Sequence, residues 1–413
     1  MRPIAYVTSR FPHLSETFTA NEIIALRQQG CPVHVFSLRS MLPSASVQPI
    51  SAQLRTTTTY APFVLSRSLW AAHHRFIQVV PQRYRQTLLD LIRHNTPNPF
   101  ALAKALLIFP KSVLFAQQVL ERGAGHIHAN FAALAGTGAW IIARLTQLPF
   151  SFTVHAHDIF SRPPWLSNPM LCRKFREAAF VVAISEYNRQ YLINCCGSQD
   201  ANKIHVIHVG IDTNLFQPGQ KKLHNGTTRI LSVGRMVPYK GQRYLIEACR
   251  YLTDSGYRIR CDIIGEGPLA KTLAAQIQKF NLGGLVTLHG PLGQDALVNW
   301  YDKADIFVLP SVVAKDGQRD GIPVVLMEAL AMQKPVVTTP VSGIPELIAH
   351  EVNGLLVTPG DARALAQAIE RLISNPQFGE QLGANGRKVV EQHFDYCNNA
   401  ELLFGLFQQS IAN

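Results

Sequence analysis

Short apolar runs recur along the chain, each followed by a longer stretch of mixed polarity. "PIAYVTS" (3–9), "PVHVFSLR" (32–39), "GHIHAN" (125–130), "FSFTVHAHD" (150–158), "FVVAISEYN" (180–188) and "KIHVIHVGID" (203–212) have the length of strands. Their alternation with helical stretches predicts an α/β domain. The first helix reads from "SETFTANEIIALRQQG", with Ser15 as its cap and Gly30 as its stop. Residues 61–120 read as helical, with a break at "NTPNP" (95–99), and a helical stretch near 170–180 follows the fourth long run. "FAALAGTGAWIIA" (131–143) is too short to span a bilayer and reads as a buried helix.

The pattern then restarts. "FQPGQKKLHNGTT" (216–228) is polar and rich in turn formers, and is predicted to be the domain linker. "RILSVGRMVPYKG", "GYRIRCDIIGEGPL", "LVTLHGPLG", "ADIFVLPS" and "KPVVTTPVSG" follow as strands and strand-end loops, separated by helices. The expectation is two doubly wound Rossmann-like domains, 1–215 and 216–395, facing each other across a cleft. A last helix, about 396–413, returns to the first. A chain of 413 residues fits two such domains. Ligands of open α/β sheets bind beyond the carboxyl ends of the strands, where the polar residues considered next all fall.

The stretch "DGIPVVLMEA" (320–329) places Asp320 and Glu328 around an apolar run. Gly321 allows close backbone approach or an unusual φ, and Pro323 suits the first turn of a helix running from about 323 to 332. The backbone donors at that helix start form an anion site. A diphosphate over the helix start, with a ribose on one side and a hexose on the other, would satisfy both acids, although paired acids near a helix start also serve as caps and dipole partners. In "SVGRMVPYKG", Arg235 and Lys240 follow a strand and supply the two cations a diphosphate needs. The loop matches neither the phosphate loop of nucleoside triphosphatases nor the GxGxxG dinucleotide pattern. "TVHAHDIF" sets His155, His157 and Asp158 at a strand end, where they serve either as core hydrogen-bonding groups or in sugar recognition. Their spacing matches no common zinc motif, and no DxD occurs for a nucleotide-bound divalent ion, so no metal is expected.

Charge adds one feature. The net charge is +12, and part of it is local. Between 61 and 111 lie Arg67, Arg75, Arg83, Arg85, Arg93, Lys104 and Lys111 with a single acid, Asp90, among apolar residues. This reads as an ordinary basic helical surface or as a contact for an anionic inner membrane or a lipid-phosphate acceptor. Nucleic acid is not expected, because no helix-turn-helix, finger or RNA-binding aromatic motif accompanies the charge. Seven scattered cysteines without a CxxC pair predict reduced, buried thiols, and the N-terminus has no signal-peptide pattern. The expected location is cytoplasmic, peripheral on the membrane's inner face.

The motifs "FPHLSETFTANEI", "HAHDIF", "VGRMVPYKG", "IIGEGPL" and "DGIPVVLMEALAMQKPVVTTPVSGIPELI" together resemble the retaining GT-B glycosyltransferases of family GT4, over nearly the whole chain. Within that family the chain looks most like bacterial enzymes of exopolysaccharide (colanic acid-type) and lipopolysaccharide biosynthesis. The resemblance implies an acceptor domain followed by a nucleotide-sugar donor domain. It implies that Asp320 and Glu328 fill the E-x7-E motif, Glu328 holding the nucleotide ribose. Asp320 then contacts the donor hexose with the backbone of Gly321, Ile322, Pro323 (through its carbonyl) and Val324. Arg235 and Lys240 resemble the pair on the donor diphosphate, and His155 the histidine at the transferred sugar. Gly265, Glu266 and Gly267 resemble the glycine-rich turn near the nucleotide, and His289, Gly290 and Leu292 line the base.

Two departures stand out. Asp320 replaces the usual glutamate, one methylene shorter. "TSRFPHLSETF" replaces the diglycine of many members, with Ser15, Glu16 and Thr17 opening the first helix to help place donor or acceptor. The implied reaction is metal-independent transfer of a hexose, with no bound cofactor, from a UDP-sugar first and a GDP-sugar second. The hexose goes to a hydroxyl of a lipid-linked oligosaccharide or glycan acceptor, by a monomer or dimer. The rivals are a UDP-sugar epimerase-like enzyme and a non-catalytic sugar-nucleotide or glycolipid-binding homologue.

Overall fold

The computed structural model describes residues 1–12, 17–40, 54–63, 66–160, 168–219 and 226–412. They form two compact units, Met1–His208 with Tyr396–Asn413, and Val209–Asp395. The division falls before the polar stretch 216–228, because Ile211 and Phe216 are buried in the core of the second unit. Residues 220–225 of that stretch, and the expected cap Ser15 with Glu16, lie outside the described residues.

The first unit holds seven strands: β1 (Ile4–Thr8), β2 (Val33–Ser37), β3 (Thr58–Tyr60), β4 (His126–Asn130), β5 (Phe150–Val154), β6 (Phe180–Ala183) and β7 (Ile204–Val206). Their order is β3-β2-β1-β4-β5-β6-β7, with parallel pairs throughout. The second unit holds β8 (Thr228–Val233), β9 (Ile259–Ile264), β10 (Val286–His289), β11 (Ile306–Leu309), β12 (Val336–Thr338) and β13 (Leu355–Leu356). Their order is β10-β9-β8-β11-β12-β13, again parallel. Both sheets are doubly wound. Each winds outward from a central strand and then reverses, so a switch point lies between β1 and β4 and another between β8 and β11. The continuous apolar strands follow from burial on both faces, and β1, β4, β5 and β11 are buried at every position.

The 61–120 region resolves into helices Arg67–Val79, Pro81–Asn95 and Pro99–Glu121. The last is long and apolar enough to cross a membrane by length and composition alone. Its C-terminal half is core, with Val113, Phe115, Ala116 and Val119 packed in one cluster with Trp140 and Ile141 of the helix Leu134–Thr146. The terminal helix Tyr396–Ala412 packs against the helix Thr17–Gln28. Its Phe407 ring lies 5.3 Å from that of His126 and 5.2 Å from that of His128. Those two histidines share the Ser151 hydroxyl at 2.7 and 2.8 Å, and burial holds both neutral by lowering their pKa, His126 to about 3.

One expectation about the cysteines is overturned. Cys172 and Cys196 form a disulfide that ties the helix Leu171–Glu177 to the helix Glu186–Cys196. The partners stand 24 residues apart without a spacing signature, and only the fold on either side of β6 brings them together. Cys31, Cys249 and Cys261 are buried thiols, and Cys195 is exposed.

Candidate functional site

Four loops meet at the carboxyl ends of β8, β9, β10 and β11. Glycine makes the meeting possible at two points. Gly241 has φ +67, and a Cβ there would collide with the Pro310 carbonyl oxygen, so the loop after β8 lies directly on the loop after β11. Gly265 has φ +142, and a Cβ there would strike the Gly234 carbonyl. Backbone bonds lace the loops together: Val312 N–H donates to Tyr239 O (2.9 Å), Met236 N–H to Glu266 O (2.8 Å) and Gly265 N–H to His289 O (3.3 Å). The Gln242 amide donates to the carbonyls of Gly234 (3.3 Å) and Arg235 (3.0 Å), holding the loop between β8 and Lys240.

Lys240 ends the one-turn helix Pro238–Lys240. Its ammonium lies 2.7 Å from Asp320 Oδ1, and both side chains are largely buried. The Ser311 hydroxyl donates to the other oxygen of Asp320 at 2.7 Å. The structure thus brings two of the expected residues into direct contact across the β8/β11 switch point. Arg235 is exposed on the same loop.

Asp320 and Glu328 have separate partners. Glu328 lies in the helix Val324–Ala331, buried, where its Oε2 accepts from the Tyr301 hydroxyl (2.8 Å) and its Oε1 from the Gln294 amide (3.5 Å). Burial pushes the Glu328 carboxyl above the usual range, against those two hydrogen bonds. Burial and the neighbouring Glu328 charge push Tyr301 up as well. Two local expectations need correcting. Pro323 is the residue before the helix, with ψ 125, so the helix begins at Val324. Gly321 is buried and is not among the glycines with positive φ, so the unusual backbone is set aside.

Around the glycine-rich turn, Gly265 and Gly267 take positive φ and Glu266 is exposed. His289 Nε2 lies 2.8 Å from Asp262 Oδ1, and its ring centroid is 4.7 Å from that of Trp300. Gly290 and Leu292 are exposed beyond the end of β10.

In the first unit, His155 follows β5 and is buried. Its Nε2 lies 2.6 Å from Asn130 Oδ1, at the end of β4. The Asn130 amide N–H₂ donates to Tyr6 Oη (3.0 Å) and Thr19 Oγ1 (2.9 Å), so its carbonyl oxygen faces the ring and His155 carries its proton on Nε2. Tyr6 in turn donates to Glu22, whose carboxyl burial pushes up to about 7. Burial lowers the His155 pKa to about 3, which makes it a neutral hydrogen-bonding group and not an acid–base group near neutral pH. His155 ring protons observed by NMR are therefore expected to show no titration between about pH 5 and 8. A titration midpoint inside that window would overturn the assignment.

Asp158 takes the core role of the two that the sequence left open. Its carboxylate accepts from the backbone N–H groups of Ala132 (2.9 Å), Ala133 (3.0 Å) and His155 (3.1 Å). It therefore ties the β4 and β5 ends together, with the buried Lys174 ammonium nearby on the Ala132 carbonyl. His157 is exposed. Sequence reasoning missed Ser311, Tyr301, Gln294, Asp262 and Asn130. Asn130 and Ser311 carried a local signal, as polar residues closing the apolar runs "GHIHAN" and "ADIFVLPS". Among the described residues, no group of three His, Cys, Asp or Glu side chains is arranged to hold a metal ion.

A family model described as Glycosyltransferase Family 4 matches residues 15–215, and one described as Glycosyl transferases group 1 matches residues 215–389. WcaL of Escherichia coli (strain K12), named as a colanic acid biosynthesis glycosyltransferase, is 31% identical over 381 residues, covering 89% of each chain. The amylovoran biosynthesis glycosyltransferase AmsK of Erwinia amylovora is 41% identical over 207 residues, 49% of this chain and 51% of its own. The structure of Anabaena Alr3699/HepE in complex with UDP-glucose superposes with a TM-score of 0.70 at 19% identity, covering 100% of both chains, which establishes a shared fold.

Proposed function

Because the chain belongs to the group 1 and family 4 glycosyltransferases and has the GT-B fold, we propose that it transfers a hexose from a UDP-sugar to a hydroxyl of a lipid-linked or polysaccharide acceptor, with retention at the anomeric carbon. The relatives named for colanic acid and amylovoran synthesis support a place in exopolysaccharide assembly. The neighbour that holds UDP-glucose supports a uridine donor, with a GDP-sugar as second choice. An epimerase or a purely binding homologue is not favoured.

The observation that carries this reading is the buried Lys240–Asp320 pair across the β8/β11 switch point, with Arg235 on the Lys240 loop and the helix Val324–Ala331, which bears Glu328, following Asp320. Lys240 and Arg235, with the helix-start N–H groups, take the charge that develops on the diphosphate as the C1–O bond breaks. The acceptor oxygen bonds C1 from the same face, and its proton passes to the departing diphosphate. The Asp320 carboxylate, turned by Lys240 and Ser311, orients the hexose hydroxyls. With two cations meeting the diphosphate, transfer is expected to survive excess chelator.

A thermal-shift screen against UDP, GDP, ADP and their sugar conjugates tests the donor half. A selective rise with UDP and a larger one with a single UDP-hexose is expected, followed by release of UDP from that donor. A rise with none of them, and no nucleotide release, would sink the reading.

A further inference from the structure

A cavity of about 700 Å³ opens in the first unit where β4, β5, β6 and β7 begin. Gly125 precedes β4, Phe150 and Phe180 open β5 and β6, and Lys203 precedes β7. Substrates of open α/β sheets bind at the opposite, carboxyl end, so sugar transfer leaves this cavity without a task. The last turns of the helix Tyr396–Ala412 form one wall. Gly125 lets that wall close, because a Cβ there would meet the Arg2 Cβ at 2.7 Å and lie against Ile411. Ser410 anchors the same turn, its hydroxyl 3.0 Å from His126 Nδ1.

Charge sets the cavity apart. Arg2, Arg144, Arg176 and Lys203 line it, with His205 beside them and Glu177 as the one acid in its lining. Glu177 is already committed: its Oε1 lies 2.5 Å from Arg173 Nε, and its Oε2 accepts from the Trp140 indole N–H at 2.7 Å. Arg144 is matched by Asp90 at 3.0 Å, and Lys203 by Asp200 at 2.9 Å. Arg2 and Arg176 differ. Both are exposed, and among the described residues neither side chain enters a hydrogen bond or ion pair. The Lys203 ammonium donates to the Arg176 carbonyl at 2.9 Å, which fixes the backbone from which the Arg176 side chain projects.

We propose that this cavity is a second ligand site, which takes a phosphate monoester on a small organic body, of the hexose phosphate class. Its size lies in the range of small-molecule sites, which join apolar walls to a few placed polar groups. Two guanidinium groups without partners match the two charges of a phosphate monoester, and each presents paired N–H donors to its oxygens. A monocarboxylate would leave one of them unmatched. The bound ligand spans segments far apart in sequence: the N-terminal residues through Arg2, the helix Leu171–Glu177 through Arg176, and the end of the helix Tyr396–Ala412. Binding therefore holds the terminal helix on the first sheet and stabilises that unit. Every residue of the site lies in the first unit and none belongs to the donor loops, so the second site stands whether or not the donor is a UDP-sugar.

The test is isothermal titration calorimetry of the full chain with glucose 1-phosphate, glucose 6-phosphate and glycerol 3-phosphate, beside succinate and glucose. Ionic strength is matched, and UDP is present throughout to fill the donor loops. At least one phosphate monoester is expected to bind saturably at one equivalent, succinate more weakly and glucose not at all. Arg2→Gln with Arg176→Gln is expected to weaken that binding by about 10- to 100-fold. Both positions are exposed, so far-UV circular dichroism of the variant should match the parent. Amide hydrogen exchange on binding should slow across 406–411 and not across 235–241. Absence of saturable binding by all three phosphate monoesters overturns the proposal. So does binding that succinate equals, binding that the arginine pair leaves intact, or protection confined to 235–241, which would return the ligand to the donor loops.

Discussion

Lys240→Ala is expected to lower kcat/KM for the nucleotide-sugar donor by about 10²–10³-fold. The ammonium has two tasks. It lies 2.7 Å from Asp320 Oδ1 in a largely buried pair, and it is one of two cations assigned to the donor diphosphate. Losing it leaves a buried carboxylate without its partner, a change that costs about 3–5 kcal/mol of stability when burial is complete and less here. A drop in activity alone would therefore not say which task matters. The double variant Lys240→Ala, Asp320→Asn set beside Asp320→Asn alone separates them, because a neutral amide no longer needs the cation and the two variants differ only at Lys240. The double variant's melting temperature should recover most of the loss while its turnover falls well below that of Asp320→Asn. Equal turnover in the two would show that Lys240 serves only to neutralise Asp320, and the diphosphate assignment would fall. Asp320 itself is held at both oxygens, by Lys240 and by Ser311, each at 2.7 Å.

The doubly wound sheets were legible because apolar runs alternate with helical stretches. Strand ends were legible because polar residues there have a crevice to face. Partners were not legible. Tyr301 and Gln294 belong to the helix Gln294–Lys303, 27 and 34 residues before Glu328, and only the packing of that helix aims them at the carboxylate. The Cys172–Cys196 disulfide was hidden in the same way. Asp158 was left open for a different reason. An acid at a strand end can serve a ligand or the backbone, and three N–H groups from two loops decide for the backbone. The domain boundary was displaced because composition marks where a chain turns polar, whereas Ile211 and Phe216 show where packing begins.

Glu328→Gln is expected to raise KM for a ribonucleotide donor by about 10- to 100-fold, and to change it less than about threefold for the 2′-deoxy donor. A carboxylate offers about four lone-pair sites. Tyr301 and Gln294 use two of them, which leaves two for a ribose diol. Hydrogen bonds to a charged acceptor contribute about 1.5–3 kcal/mol, which is the stated range of fold-change. Equal losses with both donors would place the role of Glu328 elsewhere than on the ribose. Proton linkage gives a second, independent reading. Burial raises the folded-state pKa of Glu328 above its ordinary value, so the folded protein holds that proton more tightly than the unfolded chain does. The stability this contributes is fully present below the unfolded pKa and is lost as pH rises through the folded one. Above that window, keeping Glu328 ionised costs the fold, and Glu328→Gln, which keeps an acceptor for Tyr301, should melt higher than the parent at pH 8 and lose that advantage in acid. Donor use should run the other way: the parent's KM should rise as pH falls through the folded pKa, and the variant's should not. A site where ionisation costs stability while serving the donor is one that function retains. A variant that melts no higher than the parent at pH 8 would show that the buried charge costs the fold nothing, and would remove that argument for the acid's role.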